Sequence, residues 1–434
     1  MKLFGTSKVE NNVLCIGNID VITLAKEFKT PLYIMDEEHI RNICRRYYDS
    51  FKCEQLKNRV AYAGKAFLTL AMCKLLAQEG LYLDVVSGGE LYTAFSSGFP
   101  MEKVYFHGNN KTMEEVDLGV KLGVGAFVVD NFYEIENLNS IAKVYGKKQK
   151  IYLRVTPGVE AHTHEYIKTG QIDSKFGFTG IGEAEAVLNV AKKTLELDHI
   201  ELSGLHCHIG SQIFETEPYR DAARIMLNII KKIKVELDYE IKELDLGGGF
   251  GIYYNEEDEP RKIEAYTKII LDSVEEFCKE NKMAVPILTI EPGRSIVGNA
   301  GTTLYTVGSI KDIPEVRKYV AVDGGMGDNI RPALYNAKYE CVLANRVEGK
   351  KNEVVTIAGK CCESGDILIE NVKLPLIESG DLLAVQSTGA YGYSMSNNYN
   401  KIPRPAVVFV KDGKAKLVCK RESYEDVIKN EINL

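Results

Sequence analysis

The chain has 434 residues, of which 45% are hydrophobic and 26% are charged, a composition that excludes a disordered, collagenous or coiled-coil protein. Its 54 basic and 61 acidic residues give a formal net charge of −7, which argues against a nucleic-acid-binding protein. No stretch approaches the roughly 18 apolar residues of a membrane span, and the N-terminal residues lack the pattern of a signal peptide. The ten cysteines include no CxxC pair, so we expect a cytoplasmic protein with reduced thiols and no membrane partner.

From about residue 59 to residue 291, short β-branched runs alternate with longer stretches of helical periodicity. This alternation predicts parallel strands joined by right-handed crossovers, and eight such units favour a closed α/β fold, the (β/α)8 TIM-like barrel, over an open doubly wound sheet. The eight strand candidates are Arg59–Ala63, Tyr82–Val86, Lys103–His107, Ala126–Asp130, Ile151–Val155, Leu202–His208, Glu243–Leu246 and Pro286–Ile290.

After Arg294 the helical periodicity fades, and short alternating runs such as GTTLYTVGSI and NEVVTIAGK are separated by turn residues. This pattern predicts a C-terminal antiparallel β domain. The first 30 residues precede the barrel pattern and are expected to join that domain. We therefore expect a barrel over residues 31–291 and a β-barrel or sandwich domain formed by residues 1–30 and 292–434.

Polar, reactive or glycine residues lie at the carboxyl end of every strand candidate. Because function in a (β/α)8 barrel is located at that end of the strands, the pattern indicates an enzyme. In chain order the series is Lys65, Asp84, His107, Asp130, Arg154, His206–His208, Gly247–Gly249 and Glu291–Arg294.

The Gly247–Gly249 and Glu291–Arg294 runs follow the seventh and eighth strands, where barrels of this kind commonly bind phosphate. Glycines let backbone N–H groups approach an anion, although a tight turn alone would also explain them. Lys65, in the same barrel mouth, is a candidate for a Schiff base with pyridoxal phosphate if burial desolvates it and lowers its pKa. Glu291 suits the ring nitrogen of that cofactor, and the imidazole of His208 suits its ring face.

Two other features leave alternatives open. The His-x-His pairs at 162/164 and 206/208 raise the possibility of zinc, because residues i and i+2 of a strand share a face. A zinc site would leave the glycine-rich runs unexplained, so we expect no metal. The stretch 158–175 shows little periodicity and is either a mobile lid over the barrel mouth or a long static loop.

Several motifs resemble those of a known family. YAGKA around Lys65, HIGSQ at 208–212, GGGFG at 247–251 and EPGR at 291–294 are similar to motifs of the alanine-racemase-like, fold-type III pyridoxal-phosphate decarboxylases. LDVVSGGEL at 83–91, HGNNK at 107–111, TGQIDSKFGF at 169–178, CESGD at 362–366 and GAYGYSMSNNYN at 389–400 most resemble the diaminopimelate decarboxylases among them. The resemblance covers nearly the whole chain. It implies the decarboxylation of meso-2,6-diaminopimelate to L-lysine and CO2, the last step of lysine biosynthesis, with pyridoxal 5′-phosphate as cofactor.

The resemblance also implies how the cofactor is held. Lys65 would carry it as a Schiff base, His208 would stack on its ring, and Glu291 would pair with its ring nitrogen. The other cofactor contacts implied are Asp84, Ser211, Gly247, Gly248, Gly249, Gly293, Arg294 and Tyr391.

For the substrate, the resemblance implies a set of residues that hold its distal carboxylate and amine. Cys362 would protonate the carbanion left when CO2 departs; the residues alone do not choose between Cys361 and Cys362, and the match to CESGD selects Cys362. In this family the cysteine and the glutamate of that motif come from the other subunit, which implies a homodimer with shared active sites. The substrate contacts implied are Arg294, Arg331, Tyr335, Glu363 and Tyr391.

Three rival functions remain open at this point. A decarboxylase of the same fold that acts on ornithine, lysine, arginine or a carboxylated polyamine would lack CESGD and would need an acidic distal pocket. An amino-acid racemase of the same superfamily would need a second base on the opposite ring face. A non-enzymatic barrel that binds pyridoxal phosphate would have little use for a second domain bearing Cys362, Glu363 and Tyr391.

Overall fold

The structure, a computed structural model, describes residues 2–53, 57–159, 175–179 and 185–434. The chain divides into two compact units: a barrel unit, Cys44–Gly251 and Pro260–Gly293, and a β unit, Met1–Ile43, Ile252–Glu259 and Arg294–Leu434. Histidines 162 and 164, and most of the candidate lid at 158–175, lie outside the described residues.

Eight parallel strands, among the described residues, close into the barrel in chain order. The last of them pairs with the first, and the fourth pairs with the fifth, so the sheet has no open seam. The predicted (β/α)8 fold is thereby confirmed. Barrel strands 1 to 8 are Arg59–Ala63, Tyr82–Val85, Val104–Phe106, Ala126–Val129, Gln149–Thr156, Ile200–His206, Glu243–Asp245 and Ile287–Ile290, and a short additional strand, Phe178–Thr179, pairs with strand 5.

Helices connect the barrel strands, and local sequence sets where they begin and end. The helix Met113–Leu122, for example, begins after Thr112, which forms a capping box with Glu115, and ends at Gly123 with a φ of 76°. None of the described helices is both long and apolar enough to cross a membrane. The helices of the barrel unit are Leu70–Gln78, Gly88–Ser97, Met113–Leu122, Phe132–Val144, Glu185–Leu195, Glu217–Leu237 and Ile263–Asn281; the helix Glu37–Ser50 runs from the β unit into it.

At the amino-terminal ends of the barrel strands, polar side chains bind one another inside the barrel. Arg59 donates to the hydroxyl groups of Tyr105 at 2.9 Å and Tyr152 at 3.2 Å, and it pairs with Glu243. The guanidinium, the two hydroxyl groups and the carboxylate satisfy one another's hydrogen-bonding and charge requirements. This end of the barrel therefore has a structural role. The reactive groups lie at the opposite, carboxyl ends of the strands, as expected for the fold.

The β unit contains two sheets, one of three strands and one of nine among the described residues. The long strand Gly301–Ile313 is the centre of the larger sheet, where it pairs with three neighbours. The small sheet consists of Lys8–Glu10, Val13–Ile16 and Ile19–Asp20; the large sheet consists of Leu32–Asp36, Gly301–Ile313, Arg317–Val322, Cys341–Leu343, Glu353–Ala358, Ile367–Leu374, Leu382–Gln386, Ala406–Lys411 and Lys414–Cys419; the helices are Val21–Phe28, Arg294–Val297, Arg331–Tyr335 and Tyr424–Ile428.

The β unit differs from the expectation in three respects, of which the first is that Ile252–Glu259 belongs to it and not to the barrel. Leu32–Asp36 pairs with Gly301–Ile313 and with Ala406–Lys411, so residues 31–43 belong to the β unit rather than to the barrel. The run is buried along its whole length, and a fully buried strand has the same sequence pattern in either sheet. The unit is also not wholly antiparallel, because Leu32–Asp36 runs parallel to Ala406–Lys411 and Arg317–Val322 runs parallel to Glu353–Ala358.

Candidate active site

Lys65 lies in a short 3-10 helix, Gly64–Ala66, directly after barrel strand 1. Gly64 and Ala66 are buried, whereas the lysine itself is exposed. The expectation that burial desolvates Lys65 is therefore wrong for this structure. Its ammonium charge acts on Asp84 and His208, which places the amine among the groups at the carboxyl ends of the strands.

Glu291 follows barrel strand 8 and lies buried between two histidines. Its Oε1 is 2.8 Å from His107 Nε2, and its Oε2 is 3.2 Å from His206 Nε2. The two imidazole rings meet edge to face, with centroids 4.9 Å apart. His107 follows strand 3 and His206 ends strand 6, so three strands that are distant in sequence supply this cluster.

The three groups stabilise different protonation states. Burial alone would raise the pKa of Glu291, but the two histidines outweigh it and hold the pKa of this carboxyl well below its usual range. Burial lowers the pKa of His206 to about 4, so its ring is neutral. Burial also opposes the charged form of His107, but Asp84 and Glu291 outweigh it and raise the pKa of that ring. The cluster therefore favours a carboxylate at Glu291, a charged ring at His107 and a neutral ring at His206.

Two further carboxyl groups lie beside this cluster. Asp84 Oδ1 is 3.7 Å from His107 Nε2, and burial raises the pKa of Asp84. Asp245 ends strand 7, and its Oδ1 accepts a hydrogen bond from the N–H of Gly247 at 2.8 Å. Burial and the charge of Glu291 raise the pKa of Asp245 well above its usual value, which favours its protonated form.

His208 lies two residues beyond barrel strand 6, which ends earlier than predicted. Its Nδ1 accepts a hydrogen bond from the N–H of Gly248 at 3.3 Å. Burial and the nearby Lys65 charge hold the pKa of His208 well below its usual value. The ring is therefore neutral with its proton on Nε2, a state suited to stacking on a flat aromatic ligand.

The Gly247–Gly249 turn requires glycine for two reasons. Gly249 has a φ of 95°, and a Cβ there would overlap the carbonyl oxygen of Gly210. The directions of the N–H groups differ from the expectation, however. The N–H of Gly247 points to Asp245 and that of Gly248 to His208, so protein atoms occupy two of the three donors that were predicted to bind phosphate.

Ser211 and Gly293 complete the predicted barrel group. Ser211 follows the histidine segment at the end of strand 6 and is partly buried. At Gly293 a Cβ would lie 2.8 Å from the Cβ of Ala63, the last residue of strand 1. This glycine lets the ends of strands 8 and 1 approach closely.

A second group of predicted residues meets within the β unit. Arg294 and Arg331 are both buried, and each donates from Nη1 to the hydroxyl of Tyr254, at 2.6 Å and 3.1 Å respectively. Arg331 also donates to the hydroxyl of Tyr339 at 2.7 Å. Among the described residues, phenols rather than carboxylates surround the Arg331 guanidinium.

Tyr391 and Tyr335 belong to the same group. The guanidinium of Arg294 lies 4.8 Å from the ring centroid of Tyr391, and that of Arg331 lies 5.9 Å from that of Tyr335. Tyr391 has a φ of 61°, which a bulky residue rarely adopts. Such backbone strain is concentrated at functional positions because the surrounding structure must hold it in place.

Cys362 and Glu363 lie on an exposed segment of the β unit. The segment is held by backbone hydrogen bonds, since buried Asp366 accepts from the N–H of Cys361 at 2.7 Å and Asn400 accepts from the N–H of Cys362 at 2.8 Å. Burial raises the pKa of Cys361 to about 11, with Asp366 adding to the effect. Cys362 presents its side chain to solvent, whereas Cys361 is partly buried.

Five residues in these groups received no role from the sequence. His107 stands at a strand end and opens the HGNNK motif, and His206 is one of the pair weighed as zinc ligands, but neither feature gives the residue a part in binding the cofactor. Asp245, Tyr254 and Tyr339 gave no signal at all, because nothing local distinguishes a buried acid or a core tyrosine from its neighbours.

The barrel group was also tested against the two cofactor hypotheses. His107, His206 and Glu291 offer ligand atoms within 4.8 Å of one another, as a metal would need. Pyridoxal phosphate fits more of the site: an accessible amine at Lys65, an ionised buried carboxylate at Glu291, a neutral imidazole at His208, and a glycine turn that a Cβ would fill.

Comparison with known proteins gives a consistent result. Residues 37–298 match the family model of the pyridoxal-dependent decarboxylases, pyridoxal binding domain. The chain is 55% identical to a diaminopimelate decarboxylase of Bacillus methanolicus over 97% of this chain and 98% of that one, and 53% identical to one of Bacillus subtilis over 99% and 98%. A crystal structure of diaminopimelate decarboxylase from M. jannaschii with L-lysine superposes with a TM-score of 0.93 at 37% identity, covering 99% of this chain and 98% of that one.

Proposed function

The chain belongs to the pyridoxal-dependent decarboxylases, and from its full-length identity to diaminopimelate decarboxylases we infer that it converts meso-2,6-diaminopimelate to L-lysine and CO2. The reaction is the last step of lysine biosynthesis, and its cofactor is pyridoxal 5′-phosphate. The structural observation that carries this function is the buried, ionised Glu291 at the end of strand 8, because it suits a protonated ring nitrogen.

We propose the following roles in the barrel unit. Lys65 holds the cofactor through its amine, Glu291 keeps the ring nitrogen protonated, and His208 stacks on the ring. When bound, the cofactor supplies a conjugated ring that accepts the electron pair left by the departing CO2. The proposed phosphate contacts are Ser211, Gly249 and Gly293, with Asp84, Gly247 and Gly248 supporting the site.

For the substrate, we propose that Arg331 and Arg294 hold the distal carboxylate. Arg331 is a buried cation whose described neighbours are phenols, and a buried charge is costly unless an opposite charge meets it. An anionic group of the substrate would meet that requirement, in bidentate fashion. Tyr335, Tyr391 and Glu363 would orient the rest of the substrate, which directs binding energy to the position of the scissile bond.

Cys362 is proposed to deliver the proton that replaces CO2 on the α-carbon, and Glu363 to bind the distal amine. Both lie on an exposed segment that backbone hydrogen bonds hold in a defined shape. Because this segment is held in shape and exposed, its Cys362 and Glu363 side chains are able to enter the active site of a second copy of the chain. We therefore propose a homodimer in which each subunit completes the site of the other.

We also propose that the enzyme acts in the cytoplasm. None of the ten cysteines forms a disulfide in the structure, and reduced thiols are typical of a reducing compartment. Fractionation of the producing cells, with detection of the chain in the soluble fraction, tests this proposal.

The reaction is tested by amino-acid analysis of the purified protein incubated with meso-diaminopimelate and pyridoxal phosphate. We expect stoichiometric L-lysine and CO2, and neither product from Lys65→Ala. Parallel incubations with ornithine, L-lysine and arginine test the rival decarboxylases. Release of CO2 from one of these, without L-lysine from diaminopimelate, would contradict the substrate assignment while keeping the cofactor.

The shared site is tested by mixing two inactive variants, Lys65→Ala and Cys362→Ala. If the cysteine acts across the dimer, each mixed dimer regains one of its two sites. An equal mixture that exchanges subunits should then recover about a quarter of the wild-type activity. A mixture that forms mixed dimers but stays inactive would show that each chain uses its own cysteine.

A further inference from the structure

We propose that His107 and His206 are positioning residues that fix the plane of the Glu291 carboxylate and keep it ionised, so that a ring nitrogen paired with it retains its proton. The inference rests on the proposed role of Glu291 and extends that role to two residues for which the sequence suggested none.

The geometry leaves the carboxylate little freedom to rotate. Each oxygen of Glu291 meets a different imidazole, at 2.8 Å from His107 and 3.2 Å from His206. The rings pack against each other edge to face at 74°, so neither can turn without displacing the other. His206 hydrogen-bonds to Oε2, whereas the close charge pair of His107 with Oε1 lacks hydrogen-bond geometry, so Oε1 keeps its acceptor sites for a further donor.

The surroundings of Glu291 explain why its carboxylate requires the histidines to stay ionised. Glu291 is buried, and burial favours the protonated form of its carboxyl group. A protonated Glu291 could no longer stabilise a proton on a ring nitrogen. The imidazolium of His107 offsets this tendency directly, while Lys65 and Arg154 are the other cationic groups that act on the cluster.

The two histidines therefore contribute differently. His107 supplies charge, because Asp84 on one side and Glu291 on the other favour its protonated form. His206 stays neutral and supplies direction through a single hydrogen bond to Oε2. Loss of the His107 charge should affect the ring nitrogen more than loss of the His206 hydrogen bond.

The test uses holoenzyme reconstituted with pyridoxal phosphate that carries ¹⁵N at the ring nitrogen, whose NMR shift reports protonation directly. We expect the wild-type signal of a protonated ring nitrogen and a shift towards the unprotonated value in His107→Leu and, less strongly, in His206→Leu. His206→Gln, which keeps a neutral donor, should remain near the wild type. We expect kcat to fall by roughly ten- to a hundredfold in His107→Leu with KM little changed.

The controls separate this role from a loss of folding. His199→Gln changes a histidine of the barrel unit that contacts the carbonyl of Lys147, and it should leave the ¹⁵N shift unchanged. His107→Gln replaces the imidazolium by a neutral donor of similar reach, so a folded His107→Gln protein with an unprotonated ring nitrogen would support the charge role even if His107→Leu does not fold.

Three results would overturn the inference. The first is a wild-type ¹⁵N shift in the folded His107→Leu, His107→Gln and His206→Leu proteins. The second is a protonated ring nitrogen in Glu291→Gln, which would remove the premise. The third is stoichiometric zinc in the purified wild-type protein that is lost in His107→Leu, since these atoms also lie close enough to bind a metal. If the protein makes no lysine but the ¹⁵N shift of its variants changes as expected, the result would support this inference and contradict only the proposed substrate.

Discussion

Arg294 and Arg331 donate to one phenolic oxygen, the hydroxyl of Tyr254, from 2.6 Å and 3.1 Å. Two buried guanidinium ions this close repel each other, and the shared oxygen lies where the repulsion is greatest. The two cations in turn lower the pKa of Tyr254 although burial opposes the charged phenol. Tyr254 therefore sets the spacing of the two cations that are proposed to bind the distal carboxylate.

Replacing Tyr254 by phenylalanine should weaken substrate binding. The change removes the acceptor shared by the two guanidinium groups and leaves the ring volume almost unchanged. A charge-assisted hydrogen bond contributes about 1.5–3 kcal/mol, so we expect KM for meso-diaminopimelate to rise by roughly tenfold or more with little change in kcat. Steady-state kinetics measure both constants.

Tyr253→Phe is the matched control for this variant. Tyr253 is adjacent in sequence, and its hydroxyl donates to Glu340 at 2.8 Å instead of contacting an arginine. We expect wild-type kinetics from Tyr253→Phe. A Tyr254→Phe enzyme with unchanged KM would show that the spacing of the arginines does not govern substrate binding.

The side chain of Lys111, in the HGNNK motif, is buried and has a structural role, so its removal should lower stability strongly. Its ammonium donates to the carbonyls of Gly108 and Val128 at 2.9 Å each and to Glu134 at 2.7 Å. Lys111→Met leaves the Glu134 carboxylate buried without its cation, which should cost about 3–5 kcal/mol of unfolding free energy. Urea denaturation measures the loss.

Two further variants decide whether the loss comes from the unpaired charge. The double variant Lys111→Met with Glu134→Leu removes both charges and should recover part of the stability. Lys121→Met changes an exposed lysine of the neighbouring helix Met113–Leu122 and should have little effect. No recovery in the double variant would mean that packing and backbone contacts dominate.

Because of the raised pKa of Glu90, the free energy of unfolding should fall as the pH rises. Burial raises the pKa of Glu90 from 4.5 to about 7, although a hydrogen bond from the N–H of Val86 opposes the shift. The unfolded chain releases this proton near pH 4.5, whereas the folded chain keeps it until about pH 7. The free energy of unfolding therefore falls as the pH rises through this window.

The Glu90→Gln variant isolates this contribution. Urea unfolding of the wild type and the variant at about pH 5 and about pH 8 should show that the wild type loses stability relative to the variant at the higher pH. Glu136→Gln, at an exposed position of the helix Phe132–Val144, should keep the wild-type pH dependence. A Glu90→Gln profile parallel to that of the wild type would contradict the assignment.

The glycine turn after strand 7 predicts a loss of cofactor binding in Gly249→Ala. Gly80→Ala is the matched control. Both glycines have a positive φ, 77° at Gly80 and 95° at Gly249. A Cβ at Gly80 would meet no atom, whereas a Cβ at Gly249 would meet Gly210. Both variants carry the backbone cost of about 1 kcal/mol, but only Gly249→Ala must also displace the turn. We expect weaker pyridoxal phosphate binding, measured by titration of the cofactor absorbance, in Gly249→Ala alone. Equal affinities in the two variants would show that the turn adapts.

The periodicity of the sequence predicted the barrel, because each βα unit is a local pattern and the presence of eight such units favoured a closed barrel over an open sheet. The strand Leu32–Asp36 was assigned to the wrong unit, because its partners, Gly301–Ile313 and Ala406–Lys411, are hundreds of residues away. A buried strand shows its burial in the sequence but not its neighbours.

The same division applies to the site. Lys65, His208, the glycine turn and Glu291 could be named from the sequence, because motifs and strand ends mark them. The exposure of Lys65, the ring nitrogens on either side of Glu291 and the phenol between Arg294 and Arg331 depended on tertiary structure. Sequence by itself determined which reactive groups the chain carries and on which strands. Only the fold decided their protonation and orientation, because charge interactions and burial act between residues that meet in space and not along the chain.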